Sequence, residues 1–347
     1  LHHWVHQPFP ACRKPGNGMG YWGTHFGENQ TWYEPGKAFF RYLRNCQEWL
    51  QRGEQVIDVL AVGEGFGNCD DVDVVPRRIY ETDTETKDGR VRIISSGRTY
   101  SQVCLNPQNL KIPRRPFEVV GGMPVTPDGP VLGTARVDKD GTRFFFVANV
   151  STNHVVFTAD FRATGVPELH DLEGGRTGRK DVLSVKDGYS RLRLSLEAQE
   201  SVVVVFRPDS SLPPWEDRSV AGWTAQTLAA PWSVAFEPDR GAPTEPIELK
   251  ELRSLSAHSD ARVRFFSGTA TYRTRFTAKA SGKCEIDLGD VRDIARVRLN
   301  GKDLGVAWHF PFRVSADGAL KAGENVLEVE VTNGWHNRLL GDKAFPD

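Results

Sequence analysis

Phe39, Leu43, Cys46 and Leu50 recur at i, i+4, i+7 and i+11, which is one face of an α-helix. Pro35 suits the start of that helix, and Gly53 suits the position just past its end. Residues 55–62 follow as a nearly continuous β-branched and aliphatic run. Such runs mark strands buried on both faces, as in parallel sheets. With the short apolar stretch at residues 1–5, the pattern predicts a βαβ unit, the end of a (β/α) barrel or an open α/β sheet.

From about residue 76 the period changes from 3.6 to 2. Leu192, Leu194 and Leu196 alternate with Arg191, Arg193 and Ser195, the signature of a half-buried strand. Residues 144–150 and 201–207 read as further strands, and Pro- and Gly-rich turns separate them. An antiparallel sandwich fits this segment. Residues 208–230 hold a linker with Pro208, Pro213 and Pro214. A second β domain follows. Ala295, Val297 and Leu299 alternate with Arg296 and Arg298, and Leu327, Val329 and Val331 with Glu328 and Glu330. Asn300-Gly301 is a strong tight-turn signal. The expected fold is multidomain α/β plus all-β: a C-terminal barrel fragment over 1–75, a β-sandwich over 76–210 and a β domain over 211–347.

Composition narrows the function classes. The 347 residues carry 44 Lys+Arg against 45 Asp+Glu, a net charge of -1, so no basic surplus points to nucleic acid. The longest apolar stretches are short, such as residues 202–206, so no membrane insertion is expected. Five cysteines at wide spacing, with no CxxC, make neither a disulfide framework nor a zinc motif. The chain opens Leu-His-His-Trp-Val and reads as cut from something longer, which leaves native localisation and oligomeric state open.

The densest chemistry lies in residues 2–34: His2, His3, Trp4, His6, Gln7, Trp22, His25, Glu28, Gln30, Trp32, Tyr33 and Glu34. Sugar sites use this mixture, with aromatic rings on the apolar face of a pyranose and polar groups reading its hydroxyls. If residues 1–5 form a barrel strand, His6 and Gln7 emerge at its C-terminal end, where barrel active sites sit. Glu64 lies at the same rim, after residues 55–62. A packed loop with its ring nitrogens satisfied by backbone is the competing reading. Glu34 is better explained as a cap on the helix near Pro35. Asp70, Asp71 and Asp73 could bind calcium, but such a run is more often a solvated turn. His2 and His6 lack two further ligands at suitable spacing, so no metal site is assigned. Gly63-Glu64-Gly65-Phe66-Gly67 lacks the GxGxxG pattern and the Walker Lys, and no GxSxG occurs, so phosphate-cradling and nucleophilic-serine chemistry gain no support. Trp308, His309, Trp335, His336 and Asn337 suggest either a second sugar contact or side chains that lock loops, and the second reading is slightly preferred.

Leu1-His2-His3-Trp4-Val5-His6-Gln7-Pro8, Tyr21-Trp22-Gly23-Thr24-His25-Phe26 and Gln30-Thr31-Trp32-Tyr33-Glu34 resemble the barrel end of α-L-rhamnosidases of glycoside hydrolase family 106. Gly165-Val166-Pro167-Glu168-Leu169-His170-Asp171 looks like that family's middle β domain. Leu299-Asn300-Gly301-Lys302-Asp303-Leu304-Gly305 and Thr332-Asn333-Gly334-Trp335-His336-Asn337 are similar to its terminal jelly roll, which in turn resembles the galactose-binding-like, sugar-binding domain of family 2 glycosidases. The family's extra α/β segment, expected between about Asn106 and Gly133, is shortened. The resemblance implies hydrolysis of terminal rhamnose with inversion by two carboxyl groups, calcium near the sugar, a rhamnose-containing glycan or glycoside as partner, and a periplasmic or extracellular setting. It places His2, His6, Gln7, Trp22, His25 and Trp32 along the sugar subsite. Glu64 is the one local catalytic candidate, and the principal acid and base are expected upstream of Leu1, leaving this chain inactive alone. A non-catalytic carbohydrate-binding module and a purely structural β module are the alternatives.

Overall fold

The computed structural model describes residues 26–28, 30–56, 84–87, 90–93, 116–121, 130–217, 224–228, 231–279 and 281–345. In chain order the elements begin with α1 (Lys37–Leu50), β1 (Glu54–Gln55), β2 (Thr84–Lys87), β3 (Arg90–Ile93), β4 (Phe117–Gly121), β5 (Val131–Val137) and β6 (Arg143–Asn149). Then come β7 (Val155–Phe161), β8 (Val166–Asp171), β9 (Thr177–Arg179), β10 (Ser184–Lys186), β11 (Tyr189–Leu196) and β12 (Ser201–Arg207). The last part holds β13 (Trp232–Phe236), β14 (Ile247–Leu249), the short α2 (Ala261–Arg264), β15 (Thr269–Ala278) and β16 (Glu285–Asp287). It ends with β17 (Ile294–Leu299), β18 (Lys302–Ala307), β19 (Arg313–Ser315), β20 (Gly323–Thr332) and α3 (His336–Ala344). Two compact units divide the chain, Asn45–Ser219 on the one hand and Leu1–Arg44 with Val220–Asp347 on the other, and the division falls inside α1.

The unit of residues 45–219 is an antiparallel sandwich. One sheet runs β1-β5-β6-β12-β8-β9 and the other β10-β11-β7-β4. A period of two sends alternate side chains into the space between them. Leu192, Leu194 and Leu196 of β11 and Phe157, Ala159 and Phe161 of β7 meet Phe145 and Val147 of β6 and Val202, Val204 and Phe206 of β12. Phe161 and Phe145 pack edge to face at 5.0 Å. Asp160, also buried, points the other way along β7 and is gripped by both ends of the Arg191 guanidinium at 2.6 and 2.8 Å. β12 is buried on both faces although its neighbours run antiparallel to it. The outer face of that sheet meets the last turns of α1: Trp49 lies on Phe144 and His170, and Asn45 Nδ2 donates to Leu172 O at 2.8 Å.

The barrel end expected over residues 1–75 is not seen among the described residues. The strand expected to be parallel and buried starts instead with Glu54 and Gln55, which are exposed and pair antiparallel with Val137 and Arg136 of β5. An aliphatic run reports burial but not strand direction, and the local turn decides the partner. Gly53, at φ +55°, turns the chain so closely onto β5 that a Cβ there would lie 2.1 Å from Val137 O. Arg136 then donates to the carbonyls of Arg52 and Gly53 at 2.7 and 2.9 Å, which fastens the turn after α1 to β5. Residues 1–25 and 57–83 lie outside the described residues.

In the other unit the main sheet runs β14-β13-β15-β20-β17-β18, with β16 and β19 paired separately. Every pairing between these strands is antiparallel. Ala295, Val297 and Leu299 of β17 and Leu327 and Val329 of β20 point into one core with Val234 and Phe266. The opposite face of the sheet is charged: Arg298 bridges Glu328 and Glu330 at 3.0 and 2.6 Å. Asn300 and Gly301, at φ 53° and 80°, make the hairpin turn between β17 and β18.

Candidate functional site

Of the residues expected along the sugar subsite, Trp32 is described, while His2, His6, Gln7, Trp22 and His25 lie outside the described residues, as does Glu64. Trp32 sits in a turn that leads into α1. Tyr33 N donates to Gln30 O at 3.2 Å and Gly36 N to Trp32 O at 2.7 Å. Gly36 is required there, because a Cβ would come within 2.7 Å of the Trp32 ring. The ring itself is half-buried and meets Phe26 edge-on at 5.8 Å. Glu34 does not cap the helix through its side chain; it pairs with Lys37 at 2.6 Å, and this carboxylate holds the Lys37 ammonium above its usual range.

The aromatics of the last β domain mostly lock loops. Trp308, just past β18, packs against Phe39 at 5.2 Å, Tyr42 at 5.5 Å and His309 at 4.4 Å. Trp335 lies under the Arg240 guanidinium at 4.9 Å. Arg240 is held by Glu237 at 2.9 Å, and Glu237 also accepts from Thr269 N at 3.1 Å. His336 opens α3 and is exposed, with Asn337 beside it half-buried.

Two residues that the sequence reading did not single out for a role organise this end of the domain. Asn333 spans the loop before β15: Oδ1 accepts from Gly268 N and Nδ2 donates to Phe266 O, both at 2.9 Å. Its own backbone carbonyl accepts from Thr31 Oγ1 at 2.5 Å. The two partners are 302 positions apart, so no spacing in the sequence could have joined them. Asn-Gly at 333–334, directly after an alternating strand, was the one available signal.

Among the described residues no group of three or more His, Cys, Asp or Glu is placed to hold a metal ion. Asp70, Asp71 and Asp73 lie outside the described residues. The calcium implied by the resemblance finds no ligand set among the described residues, and no chemical step is assigned to it. No described helix is long and apolar enough to cross a membrane.

Residues 1–69 match the family model for alpha-L-rhamnosidase, glycoside hydrolase family 106. The chain resembles the alpha-L-rhamnosidases of that family. A solved rhamnosidase from Novosphingobium sp. PP1Y is 33% identical, with a TM-score of 0.56 over 67% of this chain and 22% of that one. A putative beta-glucuronidase of Formosa agariphila is 44% identical over 124 residues, which is 34% of this chain and 11% of the relative. The chain thus spans 22% and 11% of the lengths of these two glycosidase relatives. The family match falls on the aromatic and histidine-rich segment, whereas the structural likeness reaches well beyond it.

Proposed function

We propose that this chain belongs to the working parts of a glycoside hydrolase that removes terminal α-L-rhamnose from a rhamnose-containing glycan or glycoside. The family match over residues 1–69 carries this reading, because that segment concentrates the residue types a pyranose requires. His2, His6, Gln7, Trp22, His25 and Trp32 line the sugar subsite at the end of a (β/α) barrel. A β-sandwich and a galactose-binding-like jelly roll follow. Hydrolysis with inversion needs an acid and a base about 6.5–9.5 Å apart, with a water between base and sugar. Glu64 is the local candidate for one of these two carboxyl groups. A periplasmic or extracellular setting suits a polymeric substrate.

Titration of the 347-residue chain with L-rhamnose tests the reading. Rhamnose should bind, Trp22→Ala and His25→Ala should weaken binding, and an aryl α-L-rhamnoside should not be turned over by this chain alone. Rhamnose binding that survives both substitutions overturns the assignment of the subsite. The beta-glucuronidase relative supports a second reading, in which the sugar is a uronic acid. Preference for glucuronate over rhamnose in the same titration would decide for it. A stand-alone binding module built on Trp308 is less well supported, since Phe39, Tyr42 and His309 already engage that ring.

A further inference from the structure

We infer that Asn333 and Trp308 are positioning residues for the aromatic segment around Trp32, and that they act on sugar recognition through it. The inference rests on the reading above, in which Trp32 faces the sugar.

Local bonds shape the turn at 30–36 but do not fix where it sits. Two independent ties to the last β domain do that. The first is polar. Thr31, directly before Trp32, donates its hydroxyl to the Asn333 carbonyl. That carbonyl has little freedom, because the Asn333 side chain is stapled to Phe266 O and Gly268 N, and Asn333 N donates to Gly268 O at 3.2 Å. Gly268 supplies the bend at φ +141°, and a Cβ there would lie 2.8 Å from Glu237 Oε2. The acceptor is therefore built into the strand ends before the Thr31 hydroxyl arrives.

The second tie is a chain of rings. Trp32 meets Phe26, Phe26 meets Phe40 at 5.3 Å, Phe40 meets Phe39 at 5.4 Å, and Phe39 meets Trp308. Phe26 packs edge-on against both Trp32 and Phe40, the geometry that ring quadrupoles favour. One tie fixes the backbone beside Trp32, and the other fixes its ring plane.

A stacking platform binds only in the conformations that present it, so apparent affinity scales with the fraction of chains in the competent state. Removing one hydrogen bond of ordinary strength shifts the competent equilibrium by about three- to tenfold, and lowers the competent fraction, and hence rhamnose affinity, by up to that factor.

The experiment uses the full 347-residue chain with four variants: Thr31→Val, Thr31→Ser, Trp308→Ala and Trp308→Phe. Rhamnose affinity is measured by titration, and backbone protection by hydrogen exchange. Thr31→Val should weaken rhamnose binding by up to about tenfold and speed exchange across 30–36, leaving β15 and β20 protected. Thr31→Ser should restore both, and Trp308→Phe should hold more affinity than Trp308→Ala. Wild-type affinity in Thr31→Val overturns the inference. So does faster exchange spread over β15 and β20, which would mean a purely structural bond. An unaltered chain that binds no rhamnose removes the sugar reading and this inference with it, and is recognised because the wild type itself fails.

Discussion

Asn300 Nδ2 donates to Asn325 Oδ1 at 2.8 Å, and through this contact a surface turn is tied to a buried amide. Asn325 is fully buried, and its Nδ2 serves Lys321 O and Gly323 O at 2.7 and 2.9 Å. Its Oδ1 also accepts from Lys321 N at 2.9 Å. Asn300 holds the left-handed conformation of the β17–β18 turn, and its Oδ1 accepts from Val326 N. The pair therefore closes the loop before β20 and sets the register of β17 against it.

Asn325→Ala should cost roughly 2–4 kcal/mol, since it leaves several buried backbone groups without partners. Asn300→Gly keeps the turn conformation and loses only the amide, so it should cost about 1 kcal/mol. Urea unfolding of both variants and of the double variant checks this. Because the residues share a bond, the two effects should fall short of additivity.

Much of the β structure was legible because alternation survives folding unchanged. Leu192, Leu194 and Leu196, and Ala295, Val297 and Leu299, point inward as their period requires. Asn300-Gly301 makes its turn, and Cys46 is buried on the α1 face that Phe39 and Leu43 define. The run at 55–62 predicts a parallel strand, yet Gln55 at its described start pairs antiparallel with Arg136, because an aliphatic run does not reveal strand direction; residues 57–62 lie outside the described residues. β12 makes the same point, being apolar on both faces within an antiparallel sheet. At the candidate site, the composition of residues 2–34 pointed to sugar contacts, and of the six residues expected along the subsite only Trp32 lies among the described residues. The Thr31 to Asn333 bond was illegible, because a contact through a backbone carbonyl leaves no mark on residue choice at the acceptor.

The segment around the prolines at 213–214 should behave as part of the sandwich and not as a free linker. Arg179 N donates to Pro213 O at 2.8 Å, and Trp215 N to Arg179 O at 2.7 Å. Arg176 covers the Trp215 ring at 4.6 Å. A Cβ on Gly178 would lie 2.8 Å from Trp215 Cα, which is backbone and cannot step aside. Gly178→Ala should cost about 1–3 kcal/mol and release Trp215. The check is a red shift of tryptophan emission with earlier proteolysis near residue 215. Unchanged emission would mean that the strand edge adapts.

Arg298 joins Glu328 and Glu330 on the outer face of the sheet, and Arg273 joins Glu328 from the other side. The groups are partly exposed, so solvent screening keeps the network weak. Replacing Arg298 with Met leaves two carboxylates facing each other and should cost about 1 kcal/mol at low salt. At 1 M salt the Debye length falls to about 3 Å, and most of that difference should vanish. A cost that persists at high salt would assign the effect to lost packing of the arginine stem.

His170 should make the sandwich sensitive to mild acid. Its ring lies against Trp49 at 5.1 Å, and Nε2 is 3.6 Å from Glu168 Oε2, too far for a hydrogen bond. Burial pushes the imidazole below its ordinary value of 6.5; the Glu168 carboxylate pulls it upward, while Arg207 and Arg52 push it further down. In the unfolded chain the ring takes up a proton near pH 6.5, and in the folded chain only at lower pH. Between those values the unfolded state binds more protons, so stability falls as the pH falls. The carboxylates of Asp138, Asp303 and Glu328 are held below their usual ranges by arginine partners, and their contributions fade only in stronger acid. Urea unfolding from pH 7.5 to 5.5 should therefore show a loss that His170→Phe reduces. A loss of the same size in that variant would place the acid sensitivity elsewhere.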